Sequence, residues 1–343
     1  MLTLLLACSG SPEDSTAALP DPMDYPVDQP GPYNVGVQIF DWTYTPTGAD
    51  EERTIAITLW YPTLDEGGAA ARYYGAFEDP YTSLDAEWVG SVHEGGVPVH
   101  VYSHGSYGYG GASPFMSRHF ASHGWVVVAP DHTGNTIGDF DAELPLSIRW
   151  WRAEDVSQAL DAADEALGLN TTRALMSGHS FGGYTSWVTP GATFDQDYIA
   201  QVCGDDACTE NDFERFAEGV DDPRIAATIP MAGGGGGWVG TAGYQGIHEP
   251  VLMMSGSEDG PETQQGIFET SGLTELTWLN IEGGCHQVFA LGQCEGIETQ
   301  VGFGIINVYT LAFGRRHLLD DPTVQAILDG SQAVDDAAQL QVR

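Results

Sequence analysis

The sequence predicts an α/β fold, a mostly parallel central sheet with helices on both faces, and three observations predict it. Short unbroken apolar runs recur at Val97 to Tyr102, Trp125 to Ala129, Arg173 to Met176, Ile225 to Met231, Pro250 to Met254 and Leu276 to Ile281. Runs of this kind suit strands buried on both faces, as parallel strands are. Helix-length segments lie between several of them, so the strands connect by right-handed crossovers. The third observation is Gly178-His179-Ser180-Phe181-Gly182-Gly183, which follows the apolar Ala174-Leu175-Met176 and opens onto a segment that fits a helix. A serine used as a nucleophile must stand on such a tight strand-to-helix turn, where a base can reach it.

The remaining elements follow in order. Val35, Val37 and Ile39, then Ile55, Ile57 and Leu59, alternate with polar residues and predict two antiparallel strands joined by the turn Pro46 to Glu52. Pro114 to His123 fits a helix, and Arg149 to Leu167 is the strongest, with Val156, Leu160, Ala163 and Leu167 at helical spacing. Pro190 to Pro223 breaks the rhythm as a small polar insertion after the nucleophile helix, either a cap or a surface excursion. Val301 to Phe313 reads as a closing helix. One catalytic domain then spans 33–320, and the acidic stretch 321–343 reads as a fraying tail.

Charge narrows the partners. The formal charge of −38 comes from 49 acidic residues against 11 basic ones, all of them Arg. A surface this negative repels nucleic acid and anionic membranes. It is read as a solvated surface, with adaptation to a salty medium as the sharper alternative. Met1 to Cys8 is a short apolar run ending in small-then-Cys, and 9–32, rich in Ser, Asp, Pro and Gly, reads as a flexible tether. The pair resembles a bacterial lipoprotein signal in which Cys8 is lipidated, giving an exported protein of the cell envelope or a secreted one. Membrane contact is expected only through that lipid. The other cysteines fall into local pairs, Cys203 with Cys208 and Cys285 with Cys294, which suit disulfides in an oxidising compartment.

An activated serine needs a base, and the base needs an acid to hold its tautomer; in this architecture they follow in the order Ser, acid, His. Ser180 is the candidate nucleophile. Downstream stand His248, His286 and His317. His286 lies in the glycine-bracketed loop Gly283-Gly284-Cys285-His286, directly after the run Leu276 to Ile281, and is preferred. For the acid, Asp259 stands just past Val251-Leu252-Met253-Met254, with Glu258 as its near rival; helix N-capping before Pro261 is the structural alternative. Oxyanion donors are expected at the Phe181 N–H and, from the glycine-rich loop Ser103-His104-Gly105-Ser106-Tyr107-Gly108, at Ser106 first and Tyr107 second. His104 reads as a packed support. Gly233 to Gly237 lacks the Lys of a phosphate loop and reads as a flexible loop near the site. No His-Glu-x-x-His spacing occurs, so no metal site is expected. Tyr107, Tyr109, Trp187 and Trp238 could line a hydrophobic subsite, or be core.

Ser103-His104-Gly105, Val127-Val128-Ala129-Pro130-Asp131-His132-Thr133-Gly134-Asn135-Thr136 and Gly178-His179-Ser180-Phe181-Gly182-Gly183, in that order, resemble the platelet-activating-factor acetylhydrolase and dienelactone-hydrolase-like branch of the α/β-hydrolase superfamily. The similarity runs from about Val35 to Phe313. It implies the α/β-hydrolase fold and a cofactor-free serine esterase acting on short or modified acyl chains of small-molecule or lipid esters. In the acetylhydrolases the acid follows the strand after the elbow helix, where this chain has Met231-Ala232-Gly233 and no carboxylate. Asp259 then takes the acid's place, as in dienelactone-hydrolase-like and polyester-hydrolase relatives. The expected activity is carboxylic-ester hydrolysis through an acyl-enzyme. The alternatives are a polymer-ester hydrolase and a surface binding module that has kept the fold.

Overall fold

The structure, a computed structural model, describes residues 18–139, 144–204 and 208–343. The expected leader 1–8, lipidation at Cys8 and the start of the tether lie outside those residues. The chain opens with the antiparallel pair β1 (Asn34–Tyr44) and β2 (Arg53–Thr63), then the small β3 (Ala71–Tyr73), β4 (Phe77–Asp79) and β5 (Ser83–Leu84). The alternating core follows as β6 (Val99–Ser103), α1 (Pro114–Ser122), β7 (Val126–Pro130), α2 (Ile148–Leu167), β8 (Ala174–His179) and α3 (Phe181–Val188). The insertion supplies α4 (Gln196–Cys203) and α5 (Glu210–Glu218). Beyond it run β9 (Ile225–Met231), α6 (Gly236–Gly243), β10 (Val251–Gly256), α7 (Glu262–Thr270), β11 (Leu276–Ile281), α8 (Thr299–Leu318), α9 (Gln325–Leu328) and β12 (Ala338–Val342).

Ten strands form one sheet in the order β12-β11-β10-β9-β8-β6-β7-β2-β1-β5, parallel from β7 through β11. The unbroken apolar runs are explained by which face each side chain takes. In β7, Val127 and Ala129 join Phe120, Trp125, Leu311 and Ala312 of the α1 and α8 side, while Val126 and Val128 join Val156, Ala159 and Leu160 of α2. Successive residues of a strand point to opposite faces, so a strand covered on both sides is largely apolar. A third cluster holds Trp150 of α2, Trp187 of α3 and Ile199 and Phe216 of the insertion. The insertion therefore packs against α2 and α3 through that cluster.

Two expectations fail. The segment 18–32 is not a free tether where it is described. Arg315 donates to the Tyr25 carbonyl at 2.8 Å, and the imidazoles of His119 and His123 to the carbonyls of Val27 and Gln29 at 2.9 Å each. Buried donors on α1 and α8 needed acceptors, and this stretch of backbone provides them. Nor does 321–343 fray. β12 pairs antiparallel with β11, Val324, Ile327 and Leu328 are buried, and Arg315 pairs with Asp321 at 2.8 Å. Asp329, Asp335 and Asp336 face solvent, Asp321 is buried against Arg315, and β12 forms the edge of the sheet.

Each of those three aliphatic side chains contributes roughly 1.5–3 kcal/mol by burial. Deleting 321–343 is therefore expected to lower the melting temperature by several degrees and to promote aggregation through the bared β11 edge. A deletion protein that melts with the full chain by calorimetry would contradict this.

Candidate active site

Ser180 sits between β8 and α3 with φ 57° and ψ −114°, a backbone conformation that side chains rarely adopt and that costs on the order of 1–3 kcal/mol. Neighbouring backbone holds the bend in place. The Ser180 N–H donates to the Met231 carbonyl at 2.9 Å. A Cβ on Gly178 would stand 2.3 Å from the Gly182 oxygen, and one on Gly182 would stand 1.8 Å from the Ser103 oxygen. Glycine is required at both positions by proximity alone. Gly233 answers to the same rule, since a Cβ there would meet the Ser180 oxygen at 2.2 Å. The Gly233 to Gly237 stretch is thus less a flexible loop than a close-packed support for the elbow, and its second half begins α6.

The candidate acid and base lie on the loops after adjacent parallel strands. Asp259 follows β10 and His286 follows β11, and the two loops are joined by Glu258 N–H to the Gly284 oxygen at 2.8 Å and Gly283 N–H to Ser257 Oγ at 2.9 Å. His286 Nδ1 lies 2.8 Å from Asp259 Oδ2. A carboxylate only accepts, so Nδ1 carries the proton and Nε2 keeps its lone pair. Asp259 does not cap α7, whose first residue is preceded by Pro261 with no side-chain cap, and Glu258 faces solvent. The Cys285–Cys294 disulfide, with Cα atoms 5.5 Å apart, fastens the residue before His286, and Cys203–Cys208, at 5.1 Å, closes the end of α4.

His179, the residue before Ser180, joins this pair to the elbow. Its Nε2 donates to the His286 carbonyl at 2.9 Å, and the two imidazole rings lie 4.7 Å apart. Among the described residues no hydrogen bond links Ser180 Oγ to His286, a common condition without substrate. Burial, with His286 adding to it, pulls the His179 pKa down to about 4, so it is neutral at ordinary pH.

The glycine-rich loop after β6 flanks the serine from the other side. A Cβ on Gly105 would stand 3.1 Å from Ser180 Cβ. The N–H groups of Ser106 and Phe181 have no protein partner among the described residues, whereas Tyr107 N–H donates to the Asn135 oxygen at 3.1 Å. Tyr107 is thereby removed as the alternative donor. Phe181 N–H is free because it belongs to the first turn of a helix, whose amides lack intrahelical partners.

Beneath this loop lies a buried network that the sequence analysis did not assign. Arg152, fully buried on α2, donates to the His104 carbonyl, to Ser103 Oγ at 3.1 Å, to Asn135 Oδ1 at 2.8 Å and to Thr185 Oγ1 at 3.3 Å. Burial lowers its pKa to about 9, with Asp155 opposing, so it stays charged at neutral pH. Asp155 accepts from Arg53, Tyr44 and His132 Nδ1. Burial alone would raise this carboxyl, but the Arg53 bonds hold it below the usual range. With His132 Nδ1–H donating, its Nε2 accepts from Ser103 Oγ at 2.8 Å; the His132 N–H then donates to His104 Nε2 at 3.0 Å, leaving His104 Nδ1–H for the Gly105 oxygen at 2.7 Å. Both rings are neutral, His132 pulled to about 3 and His104 well below its ordinary value, chiefly by burial. His104 is the support expected of it. Trp187 is core, donating to the Gly233 oxygen at 3.1 Å, while Tyr107 is exposed and Trp238 half-buried. The signal for the network was the Arg152-x-x-Asp155 spacing on the strongest helix, in a chain with no Lys. Among the described residues no cluster of metal-ligating side chains occurs.

The sheet order, the strained turn between β8 and α3, and the loops after β10 and β11 make the α/β-hydrolase fold. Residues 89–194, which include the elbow, match the chlorophyllase family model, an esterase family of that fold. A solved ferulic acid esterase from Streptomyces cinnamoneus superposes with a TM-score of 0.65 over 90% of this chain and 96% of its own, at 18% identity. No curated protein matches the chain in sequence.

Two outcomes follow from the network. Arg152→Met strands the His104 oxygen and Asn135 Oδ1, each at about 1–3 kcal/mol. Urea unfolding should show a loss of about 3 kcal/mol or more, and a loss under about 1 kcal/mol would mean the network is dispensable. The second concerns pH. His100, His119, His123, His132 and His179 all have folded pKa values lowered to about 3 or 4 by burial. The unfolded chain, with histidines near 6.5, takes up protons that the folded chain refuses. Stability contributed by these groups is full above about pH 6.5 and declines as pH falls toward 4, by up to about 1.4 kcal/mol per pH unit for each histidine. Asp131, raised to about 6 by burial, opposes this with one proton. Urea midpoints at pH 7, 6 and 5 should fall steeply, and equal midpoints would refute the assignment of neutral buried rings.

Proposed function

We propose that the chain hydrolyses carboxylic esters through an acyl-enzyme, with Ser180 as nucleophile, His286 as base and Asp259 as the acid that orients it. The observation that carries this reading is the His286 Nδ1 to Asp259 bond, which leaves Nε2 as a base on a ring held 4.7 Å from that of His179, next to Ser180. Ser180 Oγ attacks the ester carbonyl as His286 Nε2 takes its proton. The oxyanion forms at the Phe181 and Ser106 N–H groups, which need no reorganisation to receive it. Collapse returns the proton to the departing alcohol, and water repeats the sequence to release the acid. Similarity to a ferulic acid esterase and to the chlorophyllase model supports an ester as substrate. Lipid-ester hydrolysis of the acetylhydrolase kind remains a proposal drawn from the motifs. Export, with lipidation at Cys8, is likewise proposed, and the two disulfides are consistent with an oxidising compartment.

Ser180→Ala is expected to reduce turnover of 4-nitrophenyl esters by about 10⁴-fold or more, to the level left by binding and the oxyanion donors. A fluorophosphonate should form one adduct, at Ser180. An unlabelled Ser180 in folded protein would favour a non-catalytic binding module instead.

A further inference from the structure

Arg149 stands apart from the other arginines of the chain. Among the described residues, ten of the eleven arginines donate a side-chain hydrogen bond to a protein acceptor, and Arg149 donates none. It belongs to none of the ion pairs either, in a chain with 49 acidic residues to draw on. The group is not simply in water. It is half-buried, and desolvation lowers its pKa from the ordinary arginine value. Its guanidinium carbon lies 4.4 Å from the ring centre of Trp238, 4.9 Å from that of Phe181 and 5.4 Å from that of Tyr184.

Aromatic faces satisfy the charge of a guanidinium but not its edge, where five N–H donors lie in one plane. That edge suits a carboxylate, which takes two parallel bonds from it. The cage adjoins the candidate nucleophile through two of its rings. Phe181 is the residue after Ser180, and its ring has Arg152 on the network side at 4.6 Å. Trp238 follows the glycine stretch that passes against the Ser180 carbonyl. The insertion completes the wall, with Tyr198 and Phe216 packed on Trp238.

We propose that Arg149 binds a carboxylate carried by the substrate, so that the preferred esters are monoesters of dicarboxylic acids. This rests on the Ser180 reading and adds its substrate class. A surface of net charge −38 repels such an anion at long range, and only a short-range partner at the site offsets that repulsion. A merely structural Arg149 would stack on its rings and show no preference between a carboxylate and its amide.

The test compares kcat/KM for the 4-nitrophenyl monoesters of adipate and terephthalate with those of the neutral half-amides of the same acids. Wild type should favour the acid forms, and the acid-to-amide ratio should fall about ten- to a hundredfold in Arg149→Met and Arg149→Gln, with Arg149→Lys keeping part of it. Ratios within twofold of wild type for both acids, in variants of unchanged melting temperature, would overturn the proposal. Titration calorimetry of adipate and terephthalate into Ser180→Ala, with and without Arg149→Met, reads the same site without turnover. Equal binding, or none to either protein, also overturns it. Failure of fluorophosphonate labelling at Ser180 would instead overturn the catalytic reading and leave the calorimetry to decide on Arg149.

Discussion

The buried guanidinium of Arg152 is the constraint on which the site's architecture depends. It reaches from α2 to the loop after β6 through Ser103 and the His104 carbonyl, to the loop after β7 through Asn135, and to α3 through Thr185. Three segments distant in sequence are thus registered against one planar group. Such a charge is tolerated only because its donors are taken up and Asp155 lies near it in the same network. The consequence is positional: the free Ser106 N–H and the free Phe181 N–H lie on segments that the same arginine holds.

Around this anchor the elbow is built by exclusion of side chains. Gly178 and Gly182 admit the close approach of β6 and α3, and Gly233 admits the loop after β9 against the serine's own carbonyl. Strain at Ser180 persists because backbone on three sides leaves no room for relaxation. The candidate base, His286, arrives by a separate route, on a loop stitched to its neighbour and fastened by Cys285–Cys294. His179 touches both constructions.

Much of this was legible beforehand, for particular reasons. β9 and β11 begin and end at the expected bounds, because strands covered on both faces are largely apolar, with Thr228 the polar residue within β9 and Thr277 and Asn280 those within β11. Asp259 and His286 could be singled out because each follows such a run, and loops at the carboxyl ends of parallel strands converge. Segments 18–32 and 321–343 misled because their composition is polar. A few buried contacts, Tyr25 with Arg315 and Val324 among them, dock them, and composition averages those contacts away.

Local pattern by itself therefore determined the α/β class, the turn at Ser180 and the candidates on the strand-end loops, since periodicity and glycine spacing act over a few residues. Which amides are free among the described residues, which imidazoles are neutral and which arginine is held by aromatic rings alone there were decided only in three dimensions. Burial and hydrogen-bond pairing are properties of neighbours brought together by the fold. Arg149 and Arg152 show this most plainly: three residues apart on one helix and chemically identical, one is the fully bonded centre of a buried network, and the other is left among aromatic rings with its edge unclaimed.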